Sequence, residues 1–238
     1  MAYVVTFFRS LLFQLFLYTV LYGLVVIGMV WFLLFPVAYV RGFLSLWTKM
    51  TLFSTRVILG LKHEVSGLDN LPAEGALVAS VHQSMWDVIF FPSVIKDCIY
   101  ILKRELTWIP FYGWFLLRAR MIAVGRRGGI AELVAAFKSR RRSGLRHFVI
   151  FPQGARRPYG ERVRLLPGIG ALYEASDLPV VPVVLDSGRY WRRRRFLIYS
   201  GTIRVHFLPP IEAGLPRQVM MRRLTTALSP QETPPQAS

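Results

Sequence analysis

Two residue types five positions apart give the chain its first chemical signal: His82 and Asp87, in the stretch Ser80-Val-His82-Gln-Ser-Met-Trp-Asp87 that follows an apolar run. An imidazole is the natural proton acceptor near neutral pH. A carboxylate bonded to its Nδ1 fixes the tautomer and stabilises the imidazolium that forms. The spacing carries a condition. Five residues of α-helix turn through ~500°, which leaves the two side chains ~140° apart. His82 must therefore sit in the loop before a helix, with Asp87 in its first turns, where a helix N-terminus favours negative charge. Taken alone, the pair also fits a bland reading, an acidic residue near a helix start and an incidental histidine.

The second signal is cationic. The stretch Phe148-Val-Ile-Phe-Pro152-Gln153-Gly154-Ala-Arg156-Arg157 ends an apolar run in Pro-x-Gly and then two arginines. That order puts guanidinium groups at the carboxyl end of a strand, where ligands of open α/β sheets bind. Arginine suits a phosphate because it offers bidentate donors. The bland alternative is a basic loop on a basic protein. A third block opens at Lys103 and continues through Pro110, Gly113 and Trp114 to Arg118, Arg120 and Ile122-Ala-Val-Gly125-Arg126. A fourth, 179–185, reads as a buried strand and as scaffold, its Pro182 marking an irregular start or an edge. Cys98 is the one cysteine, which excludes a disulfide framework or a zinc spacing, and its apolar neighbours make it a buried small hydrophobe rather than a nucleophile.

These residues need a scaffold. From position 62, short apolar runs alternate with helix-like stretches: strands are expected over 62–67, 76–81, 98–102, 120–124, 147–152, 180–185 and 202–208, and helices over 85–95, 105–118, 129–141, 167–176 and 217–228. Such alternation predicts an α/β fold, a largely parallel sheet flanked by helices. The 238 residues suffice for one such domain and a short appendage. The appendage is N-terminal. Residues 10–40 contain no charged residue and no histidine, a length of ~46 Å as one helix against ~30 Å of hydrocarbon. They form either one tilted span or two helices broken near Gly28 or Pro36 that enter one leaflet. The run is too long for a cleaved signal peptide and lacks a cleavage site. Residues 38–60 follow as an amphipathic helix, with Arg41, Lys49 and Arg56 on nearly one face, suited to a headgroup boundary or to packing on the domain. The division expected is a helical membrane segment over 1–60, an α/β domain over 61–228 and a disordered tail over 229–238 rich in Pro, Gln, Thr and Ser.

Composition agrees with a body attached to a membrane. Hydrophobic residues make up 53% of the chain, too many for an ordinary soluble domain, yet 30 basic against 13 acidic residues give +17. Anionic lipid and nucleic acid both attract such a charge, and the apolar N-terminus favours lipid. The basic runs at 140–142 and 192–195 lack a groove-reading motif and interleaved aromatics, so no nucleic acid is expected. Basic residues dominate after position 40, which places the body on the cytoplasmic side of the inner membrane.

The four blocks, in this order and spacing over residues 60–210, resemble the PlsC family of 1-acylglycerol-3-phosphate acyltransferases. His82 to Asp87 is similar to its NHxxxxD block, with Val81 for the usual Asn. Ile122 to Arg126 is similar to its second motif, with Gly125 for an Asp. Phe151 to Arg156 is similar to its FPEGTR block, and Val181-Pro-Val to its VPV block. The resemblance implies that His82, oriented by Asp87, takes a proton from the free hydroxyl of lysophosphatidic acid, which attacks the thioester of acyl-CoA or acyl-carrier protein and yields phosphatidic acid. Neither an acyl-enzyme nor a metal or bound cofactor is then required, in keeping with the lack of a GxSxG elbow. It also implies that Arg156, with Lys103 and Arg126, holds the acceptor phosphate, which Gly154 lets the backbone approach, and that membrane lipids are partners. Gln153 and Ala155 stand where the family has Glu and Thr. Gln keeps one acceptor and loses the charge. Another lysolipid acceptor, such as a lyso-ornithine lipid or lysophospholipid, therefore stays open, as does a non-catalytic lipid-binding relative.

Overall fold

The sequence forms seven strands of one sheet, in the order β1-β7-β6-β2-β5-β3-β4. They are β1 (Leu61–Ser66), β2 (Ala76–Ser80), β3 (Ile99–Lys103), β4 (Ile122–Val124), β5 (His147–Ile150), β6 (Val180–Leu185) and β7 (Gly201–Phe207). The computed structural model describes residues 2–24, 26, 28, 36–125, 129–144 and 146–229. Arg126 and the tail over 230–238 lie outside the described residues, as does the Gly28–Pro36 stretch apart from its two ends.

Every neighbouring pair of strands is parallel except β6 and β7, which run antiparallel. The sheet is thus the predicted parallel sheet with one reversed neighbour. β2 lies at its middle with all five residues buried, because helices cover both faces and leave no reason for alternation. Pro182 does not mark an edge strand, since β6 sits between β2 and β7. The ladder to β7 begins at Val183, and Pro182, with no N–H to give, joins the strand's continuation only as an acceptor: Leu208 N–H, one residue past β7, donates to its carbonyl at 2.9 Å.

Among the described residues seven α-helices accompany the sheet. They are α1 (Ala2–Phe16), α2 (Val37–Ser54), α3 (Trp86–Val94), α4 (Tyr112–Arg118), α5 (Gly129–Arg142), α6 (Pro167–Glu174) and α7 (Arg217–Leu228). α1 runs on through a π-helical turn, Leu17–Leu21, and α2 through another, Thr55–Leu59, which Gly60 closes with φ of 67°. The expected helix over 105–118 is in fact a 3-10 turn, Arg104–Trp108, followed by α4. Pro110 explains the break: it carries no N–H, and it forces the preceding residue out of the helical region.

Among the described residues the apolar N-terminus holds two helices, and α2 does not continue N-terminally as a helix through Pro36. Pro36 has ψ of 150° and stands at the N-terminal boundary of α2. Among the described residues one helix, Tyr3–Leu24, is long and apolar enough to cross a bilayer. It is also built into the domain. Ser10 and Phe13 are fully buried, Phe13 meets the Trp191 ring edge-on at 5.5 Å, and Ser10 Oγ accepts from the Ile198 N–H at 2.9 Å.

Candidate active site

His82 leaves the carboxyl end of β2 and lies in the loop before α3, while Asp87 occupies the first turn of α3. This is the arrangement the five-residue spacing demanded. His82 Nδ1 and Asp87 Oδ2 are 2.9 Å apart. Three further donors converge on the same carboxyl group: the backbone N–H groups of Gln83 at 2.7 Å and Ser84 at 2.9 Å on Oδ2, and the Ser187 hydroxyl at 2.5 Å on Oδ1. A group that receives this many donors acts as an acceptor only, so Nδ1 carries the ring hydrogen and Nε2 has the free lone pair. Asp87 is completely buried, whereas the His82 side chain keeps 15% of its surface. Among the described residues nothing bonds Nε2.

The imidazole is held flat as well as turned. It stacks on Phe151, just beyond β5, with ring centroids 4.0 Å apart and planes inclined by 20°. Its main chain is clamped on both sides: Arg157 N–H donates to the His82 carbonyl at 2.7 Å, and the His82 N–H donates to Gln153 Oε1 at 3.2 Å. Gln83 Oε1 accepts from the Gly188 N–H at 3.0 Å, which ties the same loop to the end of β6. The His82, Phe151 and Ser187 loops all emerge from the carboxyl ends of adjacent parallel strands, the usual ligand edge of such sheets.

A cavity of about 400 Å³ opens beside the ring. His82 and Arg156 line it, with apolar side chains from α1, α2, α3 and α4 that include Leu17, Phe43, Trp47, Val88 and Phe115. A long apolar pocket with one base and one cation fits an amphiphile with an anionic end. Arg156 is half-buried. Burial pushes its pKa below the ordinary value, the Arg193 charge adds to that, Asp87 opposes it, and Arg194 lowers it further.

The other expected site residues are placed differently. Gly154 adopts φ of 67° in a turn whose N–H donates to the Phe151 carbonyl at 2.9 Å, and a Cβ there would meet Leu166 at 2.4 Å. Its place in the structure is that turn, and it lines neither the apolar cavity nor a smaller one of about 250 Å³ bounded by Gln83, Gln153 and Arg204. Gln153 points its amide at the His82 backbone and faces the smaller cavity. Lys103 is exposed at the end of β3, away from both. Cys98 is buried, and burial pushes its thiol up to about 12, so it is not a nucleophile. Ser187 was not marked by the sequence. It lies 100 residues from its partner, in a 3-10 turn that has no chemical signature of its own.

A family model described as "Acyltransferase" matches residues 62–186. A 1-acyl-sn-glycerol-3-phosphate acyltransferase of Pseudomonas aeruginosa is 33% identical over 170 residues, covering 70% of this chain and 66% of that relative. Proteins of the same description from Saccharomyces cerevisiae (25% over 163 residues, 66% of this chain and 54% of the relative) and, as the beta form, from Homo sapiens (29% over 164 residues, 66% and 59%) are also similar. The chain thus spans between about half and two thirds of the length of these curated relatives. The crystal structure of the 1-acyl-sn-glycerophosphate acyltransferase PlsC from Thermotoga maritima superposes with a TM-score of 0.72 at 18% identity, covering 96% of this chain and 97% of that one, which establishes a shared fold.

Proposed function

The chain belongs to the acyltransferase family, and from that premise we propose that it transfers a fatty acyl group from acyl-CoA or acyl-carrier protein to the free hydroxyl of lysophosphatidic acid. The observation that carries this reading is the His82–Asp87 pair set at an apolar cavity that Arg156 also lines. In it, His82 Nε2 takes the proton as the hydroxyl oxygen attacks the thioester carbonyl. The tetrahedral intermediate collapses and expels the thiolate, which receives the proton back from the imidazolium. Asp87 keeps the ring in the required tautomer and offsets the imidazolium charge. The acyl chain occupies the apolar cavity, and Arg156 holds the acceptor phosphate. The exchange of Glu for Gln at 153 bears on the His82 loop, because that amide oxygen accepts from the His82 N–H, and not on the acceptor headgroup. This favours lysophosphatidic acid over other lysolipids. The exposed apolar surface of α1 supports action at a membrane, where the lysolipid acceptor partitions.

The test supplies purified protein with labelled acyl-CoA or acyl-carrier protein and a panel of lysolipids. Turnover of lysophosphatidic acid is expected, and His82→Ala is expected to lose about 10³-fold or more of it, as removal of a general base does. Turnover of another lysolipid without lysophosphatidic acid would reject the acceptor. Equal rates in variant and parent would reject the mechanism.

A further inference from the structure

Beside Arg156 stands a cluster of cations that the reaction just described does not use. Residues 192–195 are four consecutive arginines, all exposed, in the loop between the 3-10 turn Ser187–Arg189 and β7. The loop is pinned at both ends. Trp191 is buried against Phe13, and the Ile198 N–H is held by Ser10. Between these ends Gln14 Nε2 donates to the Phe196 carbonyl at 3.0 Å, and the Phe196 ring lies 5.3 Å from that of Phe7. The arginines are thus seated against α1, on the helix whose outward side chains Phe8, Leu12 and Leu15 are exposed and apolar.

From that seat the loop reaches Arg156, which lines the apolar cavity. Arg193 Nη1 donates to the Arg156 carbonyl at 3.3 Å. Arg193 and Arg194 are near enough for their charges to lower the pKa of Arg156. Among the described residues no carboxylate forms an ion pair with Arg156, Arg193 or Arg194. Arg193 and Arg194 bring their charge against the cavity-lining Arg156, and the repulsion is relieved when a polyvalent anion enters.

We propose that Arg193 and Arg194 join Arg156 in binding the phosphate monoester of the acceptor lysolipid. The inference rests on the acyl-transfer reading for its substrate and adds to it two residues outside the four sequence blocks. They take the place expected for Lys103, which is exposed and does not line the cavity. Coenzyme A also carries phosphates, so the chemistry alone has two sources. The acceptor is the better one. Its reacting hydroxyl lies only a few bonds from its phosphate, so a base and a phosphate site must be close together. In the coenzyme the whole pantetheine arm separates the phosphates from the thioester. The seat on α1 also suits a substrate arriving from the bilayer.

The experiment compares the wild type with the Arg193→Ala/Arg194→Ala double variant, varying acceptor and donor separately, and measures glycerol 3-phosphate binding by calorimetry. The double variant is expected to raise the acceptor KM about tenfold or more, the loss of one or two charge-assisted bonds, with kcat and donor KM within about threefold. An Arg142→Ala/Arg222→Ala variant removes the same net charge from exposed helical positions and is expected to leave the acceptor KM in place. Unchanged acceptor KM and unchanged glycerol 3-phosphate affinity in the Arg193/Arg194 variant would overturn the inference. So would a rise confined to the donor KM, which would move the cluster to the coenzyme. If the wild type turns over no lysolipid, the acyl-transfer reading fails, while weakened glycerol 3-phosphate binding in the double variant still supports the anion site.

Discussion

Asp87 is the most heavily bonded side chain of the site, and its fourth donor makes a sharp prediction. The Ser187 hydroxyl, itself fully buried, meets Oδ1, while the other three donors share Oδ2. Removing it leaves one oxygen of a buried carboxylate unpaired, at a cost of about 1.5–3 kcal/mol for a bond to a charged group. Ser187→Ala is therefore expected to lower kcat roughly tenfold while the acceptor KM stays within about twofold, because Ser187 touches Asp87 and not the cavity. Ser187→Cys, of nearly the same size with a weaker donor, should fall between. Steady-state kinetics check this, and equal losses in kcat and KM for both variants would make Ser187 a packing residue only. At this scale the sequence was informative where chemistry follows from spacing. Five positions were enough to put His82 in a loop and Asp87 in a helix turn. It was silent where partners come from distant strands: nothing near Ser187 marks it, and the arginines at 192–195, with no nucleic-acid motif around them, carried no role until the fold set Arg193 against Arg156. Lys103 does not line the cavity for the complementary reason: a place at the ligand edge of the sheet does not by itself put a long side chain into the pocket.

α1 illustrates what a single element can do with two faces. By composition it is an anchor appended to a domain. In the fold its inner stripe of Ser10 and Phe13 is buried against the 191–198 loop, and Leu17, in the π-helical turn that follows, lines the cavity beside His82. Phe13→Ala empties a fully buried site and is expected to cost about 3–5 kcal/mol, seen as a lower midpoint in detergent-solubilised unfolding. Because Phe13 packs on Trp191, the same variant should loosen the arginine loop and raise the acceptor KM. A change below about 0.5 kcal/mol would mean that α1 is dispensable to the domain, as a simple anchor would be. All seven strands were legible because each is a short stretch between breakers, most of them apolar runs and β1 and β7 polar–apolar alternations. Pairing direction was not, because the reversal of β7 depends on the long connection after β6 and leaves no mark on the residues of β7 itself. The break at Pro110 was missed for a different reason: the apolar period continues across it while the backbone cannot.

Across the whole molecule, the distribution of surface is that of a protein with two solvents. α2 turns Thr48, Thr51, Ser54 and Thr55 inward, each hydroxyl satisfied by a carbonyl one turn back, and turns Leu46, Met50, Phe53 and Val57 outward. A helix facing water does the reverse. The outward apolar row of α1 adds to this surface, and cations at Lys49 and Arg56 are exposed among it. A net charge of +17 gives long-range attraction to anionic lipid. The two contributions separate by salt. Raising ionic strength from 0.1 to 1 M shortens the Debye length from ~10 to ~3 Å and removes most of the electrostatic part, leaving apolar insertion untouched or strengthened. Binding to vesicles of anionic and zwitterionic phospholipid is thus expected to weaken with salt but to persist at 1 M, as measured by co-sedimentation. Leu46→Glu/Phe53→Glu changes two exposed positions, so it should leave the unfolding midpoint in place while releasing the protein from vesicles at 1 M salt. If the wild type itself leaves the vesicles at 1 M, charge alone holds it there. The outward row of α2 would then need a protein partner instead of a bilayer to cover it.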